Sequence, residues 1–452
     1  MKITVNDGKT ERSGSFREGT RASEIIAALG FDFSLPCGGR GRCGKCLCMI
    51  DGRELPACKT QLFKDCRIEL PHREAHLLIA GGNTPDVSGT VVDIGTTTVA
   101  AAEFENGTVI RSFGAKNPQC AYGGDVISRI GSGDRRLTDS INGLIDDILS
   151  GFGGPAVITG NTAMLALLCG MDTSEMGIYP FKMPSDFDME YKGAYLPPCA
   201  SAFVGADALC AMLYTGAHER GETALMLDLG TNGEIGLLCE GRYYFTSTAA
   251  GPAMEGVGIS RGMAAGDGAI FRVSDSGYET VGGSSAAGIC GSGLVDAVAL
   301  MLKRGALDGF GTLEKAFEIH DSGIFITQDD IRAFQLCKAA IAAGTKTLLK
   351  KSGITLDRVD KVYLSGALGH NIDLYSAVRT GLLPPLSAEK FAPIGNGAIM
   401  GGAMLLKAEN REKLRAMADN STCFDLAADP GFAEEYIEEI NFPGVTPEPS
   451  QA

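Results

Sequence analysis

Four cysteines and two aspartates carry the chemistry legible in this 452-residue chain. Cys37, Cys43 and Cys46 follow the spacing C-x5-C-x2-C within LPCGGRGRCGKCLC, and Cys58 follows in LPACKT. Four thiolates can hold two irons bridged by two sulfides. The same loop carries Gly38, Gly39, Gly41 and Gly44. Without side chains there, backbone N–H groups can approach the sulfurs and offset their negative charge. Cys48 and Cys66 compete with Cys58 for the fourth ligand place, and Cys58 is preferred. A tetrahedral zinc site is the other use of such a set, although zinc knuckles seldom need four glycines between ligands.

The aspartates end two similar apolar runs. TVVDIGTTTVAAAEFENG (90–107) and LMLDLGTNGEIGLLCEG (225–241) each read as a strand, an Asp-Ile/Leu-Gly-Thr turn and a second strand. This internal duplication makes Asp93 and Asp228 equivalent. Gly95, Thr96, Thr97 and Thr98 in one turn, and Gly230, Thr231, Asn232 and Gly233 in the other, can cradle phosphate oxygens with N–H groups and hydroxyls. Each Asp can hold Mg2+ through water or orient an attacking water, with Glu234 assisting in the second turn. A third apolar strand ends in Ser365, Gly366, Ala367, Leu368 and Gly369, a turn that admits a nucleoside close to the backbone. Gly291, Ser292 and Gly293 open an apolar-periodic helix, a natural anion or nucleotide site. No G-x4-G-K-[ST] occurs, so this is not a Walker A protein.

These residues need two kinds of scaffold. KITVNDGKT reads as strand and turn, and SFREGTRASEIIAALG as a strand end running into a helix, so a small α+β module frames the cysteines. Six of the 14 cysteines fall between Cys37 and Cys66, and the others sit mostly in apolar runs as buried hydrophobes. Residues 1–80 carry 13 Lys/Arg against 10 Asp/Glu, while the whole chain is at −15, so the remainder is strongly acidic. That balance argues against nucleic-acid binding. Arg40, Arg42 and Lys45 in the cysteine loop could form a docking face for an acidic electron carrier. The expected boundaries are 1–78 for the cysteine module, 79–89 for a Gly/Pro-rich linker, 90–425 for the duplicated part (lobes about 90–220 and 221–425) and 426–452 for a tail. No run of ~18 apolar residues and no apolar leader is visible, so a soluble, cytoplasmic protein without membrane contact is expected. The five histidines are dispersed and form no metal or nucleophile motif.

The cysteine loop resembles plant-type [2Fe–2S] ferredoxins, with one extra residue in the first gap and a short gap to Cys58. The duplicated part is similar to the actin, sugar-kinase and heat-shock-chaperone ATPases. That likeness implies an α/β fold of two duplicated lobes with ATP in the cleft, preceded by a ferredoxin-like β-grasp domain. In it, Asp93–Thr98 match the first phosphate motif, Asp228–Glu234 the second and Ser365–Gly369 the adenosine motif. NPQCAYGGDVISRI, VITGNTAMLALLCG, AAGPAMEGVGISRGM and FAPIGNGAIMGGA, together with the cysteine loop, look like the reductive activators of corrinoid-dependent methyltransferases and corrinoid iron–sulfur proteins. This resemblance covers nearly the whole chain, in which the two modules almost abut. It implies an ATP-hydrolysing enzyme with a [2Fe–2S] cluster, ATP and Mg2+. Such an enzyme passes one electron from the cluster to the Co(II) corrinoid of a partner, regenerating Co(I). The implied partners are a corrinoid protein or methyltransferase and a ferredoxin-type donor, with a homodimer left open. A small-molecule kinase with an appended ferredoxin and a non-enzymatic nucleotide-gated redox sensor are the alternatives. The 2-hydroxyacyl-CoA dehydratase activators share the ATPase fold but hold a [4Fe–4S] cluster between subunits, which the Cys37–Cys58 set counts against.

Overall fold

The computed structural model describes residues 1–7, 10–31, 33, 46–70 and 86–444. Near the N-terminus, Lys2–Asn6 pairs antiparallel with Glu11–Ser15 and parallel with Cys66–Glu69, which pairs in turn with Leu47–Ile50 and through it with Arg53–Pro56. Alternation buries Ile3 and Val5 on one face. The helix Ala22–Ala28 lays Ile25 and Ile26 on that face, with Ile50 and Ile68 completing the core. A mixed five-stranded sheet crossed by one helix is the expected β-grasp.

The duplication is plain in the strand order. In one six-stranded sheet, Gly89–Ile94 runs parallel to Ala156–Gly160 and antiparallel to Thr98–Glu105, which pairs with Thr108–Lys116. In the other, Ala224–Leu229 runs parallel to Lys361–Ser365 and antiparallel to Gly233–Cys239, which pairs with Arg242–Thr248. Central strands such as AVITG and ALMLDL are buried on both faces because helices cover both. This is the duplicated two-lobed α/β architecture expected from the sequence.

Two helices join the lobes. Ala206–Tyr214 closes the first lobe and Gly397–Met404 the second, and they pack against each other. Each also covers the opposite sheet. Ile399, Met400 and Ala403 pack with Val91, Ala100, Ala102 and Phe104, while Leu209 and Met212 pack with Met226, Leu238 and Phe245. The crossing is backbone to backbone: a Cβ on Gly401 would stand 1.9 Å from the Cys210 carbonyl oxygen.

The segment expected as a tail from 426 contains a helix. Asp429 caps Pro430–Glu439, which lies along the long helix Gln328–Ser352. Phe442 is buried beside Phe334. Lys338 is fully buried and donates to the Asn441 carbonyl at 2.5 Å. Burial lowers its pKa to about 8. Residues 445–452 lie outside the described residues.

Candidate functional site: the cleft between two aspartate hairpins

Each sheet delivers its aspartate at the end of a strand, and the following turn faces the other lobe. Thr97 Oγ1 and Thr231 Oγ1 lie 3.2 Å apart. Asn232 Nδ2 lies 3.4 Å from Thr96 Oγ1. The two turns read from the repeat thus meet tip to tip. In the first, Gly95 N donates to Thr98 O, which closes the turn, and Thr98 itself is exposed. In the second, Gly230, Thr231 and Asn232 form the turn while Gly233 and Glu234 start the next strand.

Asp228 lies beside Ser365 in the parallel register and Glu234 in the antiparallel one. Ser365, fully buried, donates its hydroxyl to Asp228 Oδ2 at 2.6 Å. The chain then turns at Gly366 with φ +85°, where a Cβ would approach Asp228 Oδ1 to 3.1 Å. Ala367 beyond it is exposed and Gly369 buried. The adenosine-type turn is therefore welded to the second aspartate.

Asp93 Oδ1 is buried without a hydrogen-bond partner. Burial, then Asp207 and Asp228, hold the Asp93 carboxyl well above the usual range. Glu234 is raised well above its range by burial, then by Asp207 and Asp228. Asp228 is raised by burial and held back by the Ser365 hydroxyl. Asp207, at the start of the helix Ala206–Tyr214, is pushed up to about 7 by burial, with Asp228 adding to the rise. Asp93, Asp207 and Asp228 keep a partly exposed edge, as groups lining a cleft do. Four buried carboxyls, three of them raised further by another of the set and one with an orphaned oxygen, could hold a divalent cation. Among the described residues no three His, Cys, Asp or Glu side chains converge on a single direct-ligation point.

Sequence reasoning missed four contributors. Asn117 braces the first turn: its N–H donates to Thr97 O at 2.8 Å and its Nδ2 to Gly95 O at 2.9 Å. Asn161 follows the strand Ala156–Gly160, at the place that Ala367 takes after Lys361–Ser365, and its Nδ2 donates to Thr96 Oγ1 at 3.1 Å. Asp207 and Glu255 complete the acidic lining. Both asparagines lie in stretches already marked by NPQC and GNT, whereas no local signal announces Asp207.

Gly291, Ser292 and Gly293 open the helix Gly291–Arg304 and are buried. A Cβ on Gly291 would fall 2.1 Å from Met254 O, and one on Gly293 2.2 Å from Ile270 O. Ser292 Oγ donates to Phe271 O. Close backbone packing is thus one reason for these glycines.

In the β-grasp domain, Cys46 and Cys58 are buried with their sulfurs 3.0 Å apart, and Cys58 N donates to Cys46 Sγ at 3.3 Å. Burial, then Cys58, lifts the Cys46 thiol to about 11. Cys48 faces Leu55 O instead, and burial lifts it to about 12. Two free thiols with an amide aimed at one sulfur fit adjacent ligands of one iron. Metal–sulfur bonds of ~2.3 Å ask for sulfurs roughly 3.8 Å apart, a small opening of this pair. Cys37 and Cys43 lie outside the described residues.

Comparison with known proteins gives one answer. The C-terminal domain of RACo, the ASKHA domain, matches residues 222–451, and the RACo middle region matches 88–220. The corrinoid activation enzyme RamQ of Eubacterium limosum is 28% identical over 569 aligned residues, 93% of this chain and 96% of its own. A reductase of the Co(II) methylated amine-specific corrinoid protein from Methanosarcina barkeri is 32% identical over 276 residues, 55% of this chain and 51% of its own. A solved reductive activator for corrinoid, iron–sulfur protein has a TM-score of 0.71 at 25% identity, covering 98% of both chains. With its middle region and its ASKHA domain both matched, this chain belongs to the RACo family.

Proposed function

We propose that the chain is an ATP-dependent reductive activator, an enzyme that returns the Co(II) corrinoid of a partner protein to Co(I). The likeness to a reductive activator along 98% of both chains carries this reading. The relatives named for corrinoid activation and for Co(II) corrinoid reduction support it. The electron donor is a ferredoxin-type protein, and the acceptor a corrinoid protein or corrinoid-dependent methyltransferase.

Cys37, Cys43, Cys46 and Cys58 are the proposed ligands of a [2Fe–2S] cluster, which when bound supplies a one-electron carrier. Cys46 and Cys58 share one iron, and the Cys58 amide offsets sulfur charge. In the cleft, backbone N–H groups of both turns hold the phosphates of ATP. Asp93 and Asp228 hold Mg2+ through water, and the Ser365 hydroxyl fixes the orientation of Asp228. Asp207, titrating near 7, takes the proton of the attacking water. The turn after Ser365 receives the adenosine.

Nucleotide is needed because the reduction is uphill for the donor. Each 100 mV of deficit costs ~2.3 kcal/mol per electron. Shifting a two-state population from 1:99 to 99:1 takes only ~5.5 kcal/mol. Closure of the lobes on ATP is therefore large enough to change how the partner is held.

The test follows the Co(I) absorption band of a Co(II) corrinoid protein mixed with the iron-reconstituted chain, a low-potential reductant and ATP. Co(I) formed only with ATP is the expected result. ATP splitting without Co(I) would move the assignment to a small-molecule kinase. Neither activity would leave a nucleotide-gated redox sensor.

A further inference from the structure

Glu255 is the one acid near the turn tips to which neither the repeat nor the proposed mechanism gives a part. It ends the short turn Pro252–Glu255. Thr231 Oγ1 donates to Glu255 Oε1 at 2.6 Å. The Thr97 hydroxyl lies 3.2 Å from that of Thr231, and because the one Thr231 proton goes to Glu255, Thr97 is the donor of that bond. Thr97 belongs to the first lobe, and Thr231 and Glu255 to the second. Three side chains from two lobes thus share one small network.

The turn that carries Glu255 is rigidly seated. Gly251 and Gly256 flank it at φ +80° and +77°. Gly251 N donates to Thr231 O at 2.9 Å, tying it to the second hairpin. A Cβ on Gly256 would fall 2.5 Å from Met263 N. The helices Gly291–Arg304 and Gln328–Ser352 pack against it from below.

Hydroxyl polarity follows from this arrangement. A hydroxyl has one proton and two acceptor lone pairs. The Thr231 proton goes to Glu255 and the Thr97 proton to Thr231 Oγ1, so the relay turns both protons away from the cleft. The oxygens that face the cleft are then acceptors. They suit a metal ion or a metal-bound water, which donates strongly, and not a bare phosphate oxygen, which needs donors.

We infer that Glu255 is a positioning residue of the cleft: by accepting the Thr231 proton it orders the relay Thr97 to Thr231 to Glu255, clasps the two lobes together, and presents the hydroxyl oxygens as acceptors to the Mg2+ side of Mg–ATP. The inference deepens the nucleotide reading given above and rests on it. It also revises the simpler expectation that these hydroxyls grip phosphate.

Equilibrium titration with a fluorescent ATP analogue tests it, once with saturating Mg2+ and once with a chelator. Glu255→Ala should weaken binding of the Mg2+ form about tenfold, as expected for lost hydrogen bonds to a charged group. Binding of the metal-free form should change less than about twofold. Adding Thr97→Val to Glu255→Ala should cost little more, because the two residues act as one unit. Glu255→Gln, which keeps shape and one acceptor, should lose only a few-fold and guards against a folding defect. Equal losses with and without metal, or additive losses in the double variant, would overturn the inference. If the parent chain binds neither form, the nucleotide reading falls first, and this inference with it.

Discussion

Asp228 sits where three strands bring Ser365, Glu234 and the second turn within reach, so its single side chain concentrates the site's chemistry. Asp228→Asn should leave the fold intact and cut ATP turnover by at least about a hundredfold, the scale of one lost electrostatic contact in a reaction site; turnover near the parent rate would remove Asp228 from the mechanism. The acids have a second consequence. Folded carboxyls raised above their unfolded pKa of ~3.9 bind extra protons in the folded state. Asp207 rises to about 7, and Asp93 and Glu234 rise in the same direction. Stability therefore falls as pH climbs from about 4 to 7, by at most ~1.4 kcal/mol per pH unit for one such group. Urea midpoints without divalent cation should be lower at about pH 8 than at about pH 5, and Mg2+ should restore the loss only at the higher pH. In the β-grasp domain, Cys58→Ser should abolish the visible spectrum of the reconstituted protein, while Cys48→Ser, with its thiol turned to Leu55 O, should retain it. Asp93, Asp228 and the cysteine run were legible because each motif is contiguous and one of them repeats. Asp207 and Glu255 were not, because folding alone carries them to the turns from distant stretches.

The strands and helices that hold these residues were legible to different degrees. Apolar runs ending in Asp-x-Gly-Thr announced the hairpins. The C-terminal element did not announce itself. The Pro-rich ending NFPGVTPEPSQA suggested a tail from 426, yet upstream of it Pro430 is the first residue of a helix, where a missing N–H costs nothing. What fixes that helix is distant in sequence: Lys351 bonds Asp429 at 2.5 Å and Lys346 bonds Glu439 at 2.5 Å. Phe442 then anchors its far end under Phe334. Phe442→Ala should destabilise the second lobe by about 3–5 kcal/mol, as large-to-small changes at buried aromatics do. Urea unfolding gives the value, and a loss below about 1 kcal/mol would show that the element is not part of the second lobe's core. The Gly291–Gly293 motif carries the opposite lesson. Glycines before a helix signal anion binding and close packing alike, and only the neighbouring Met254 and Ile270 carbonyls reveal the packing.

At the level of the whole molecule, two sheets of one pattern face each other across the cleft, joined by two helices that touch through Gly401. Gly401→Ala would drive a methyl group into Cys210 and should cost about 3 kcal/mol, read as a lower thermal midpoint. No helix among the described residues is long and apolar enough to cross a membrane. The crossed helices have a further consequence. Each lobe's closing helix covers its sister's sheet, which is the arrangement two identical chains adopt when they exchange an element. The fold is, in effect, a swapped dimer written as one polypeptide. In a true dimer every substitution appears twice, so both walls of the cleft must stay alike. Joining the halves released that constraint. The register sets Thr159 beside Asp93 and Ser365 beside Asp228, so one wall carries Asn161 where the other carries Ala367. A ligand with a base at one end and phosphates at the other can then be read from two sides in two ways, and fusion is what allows a symmetric scaffold to give an unsymmetric molecule a direction.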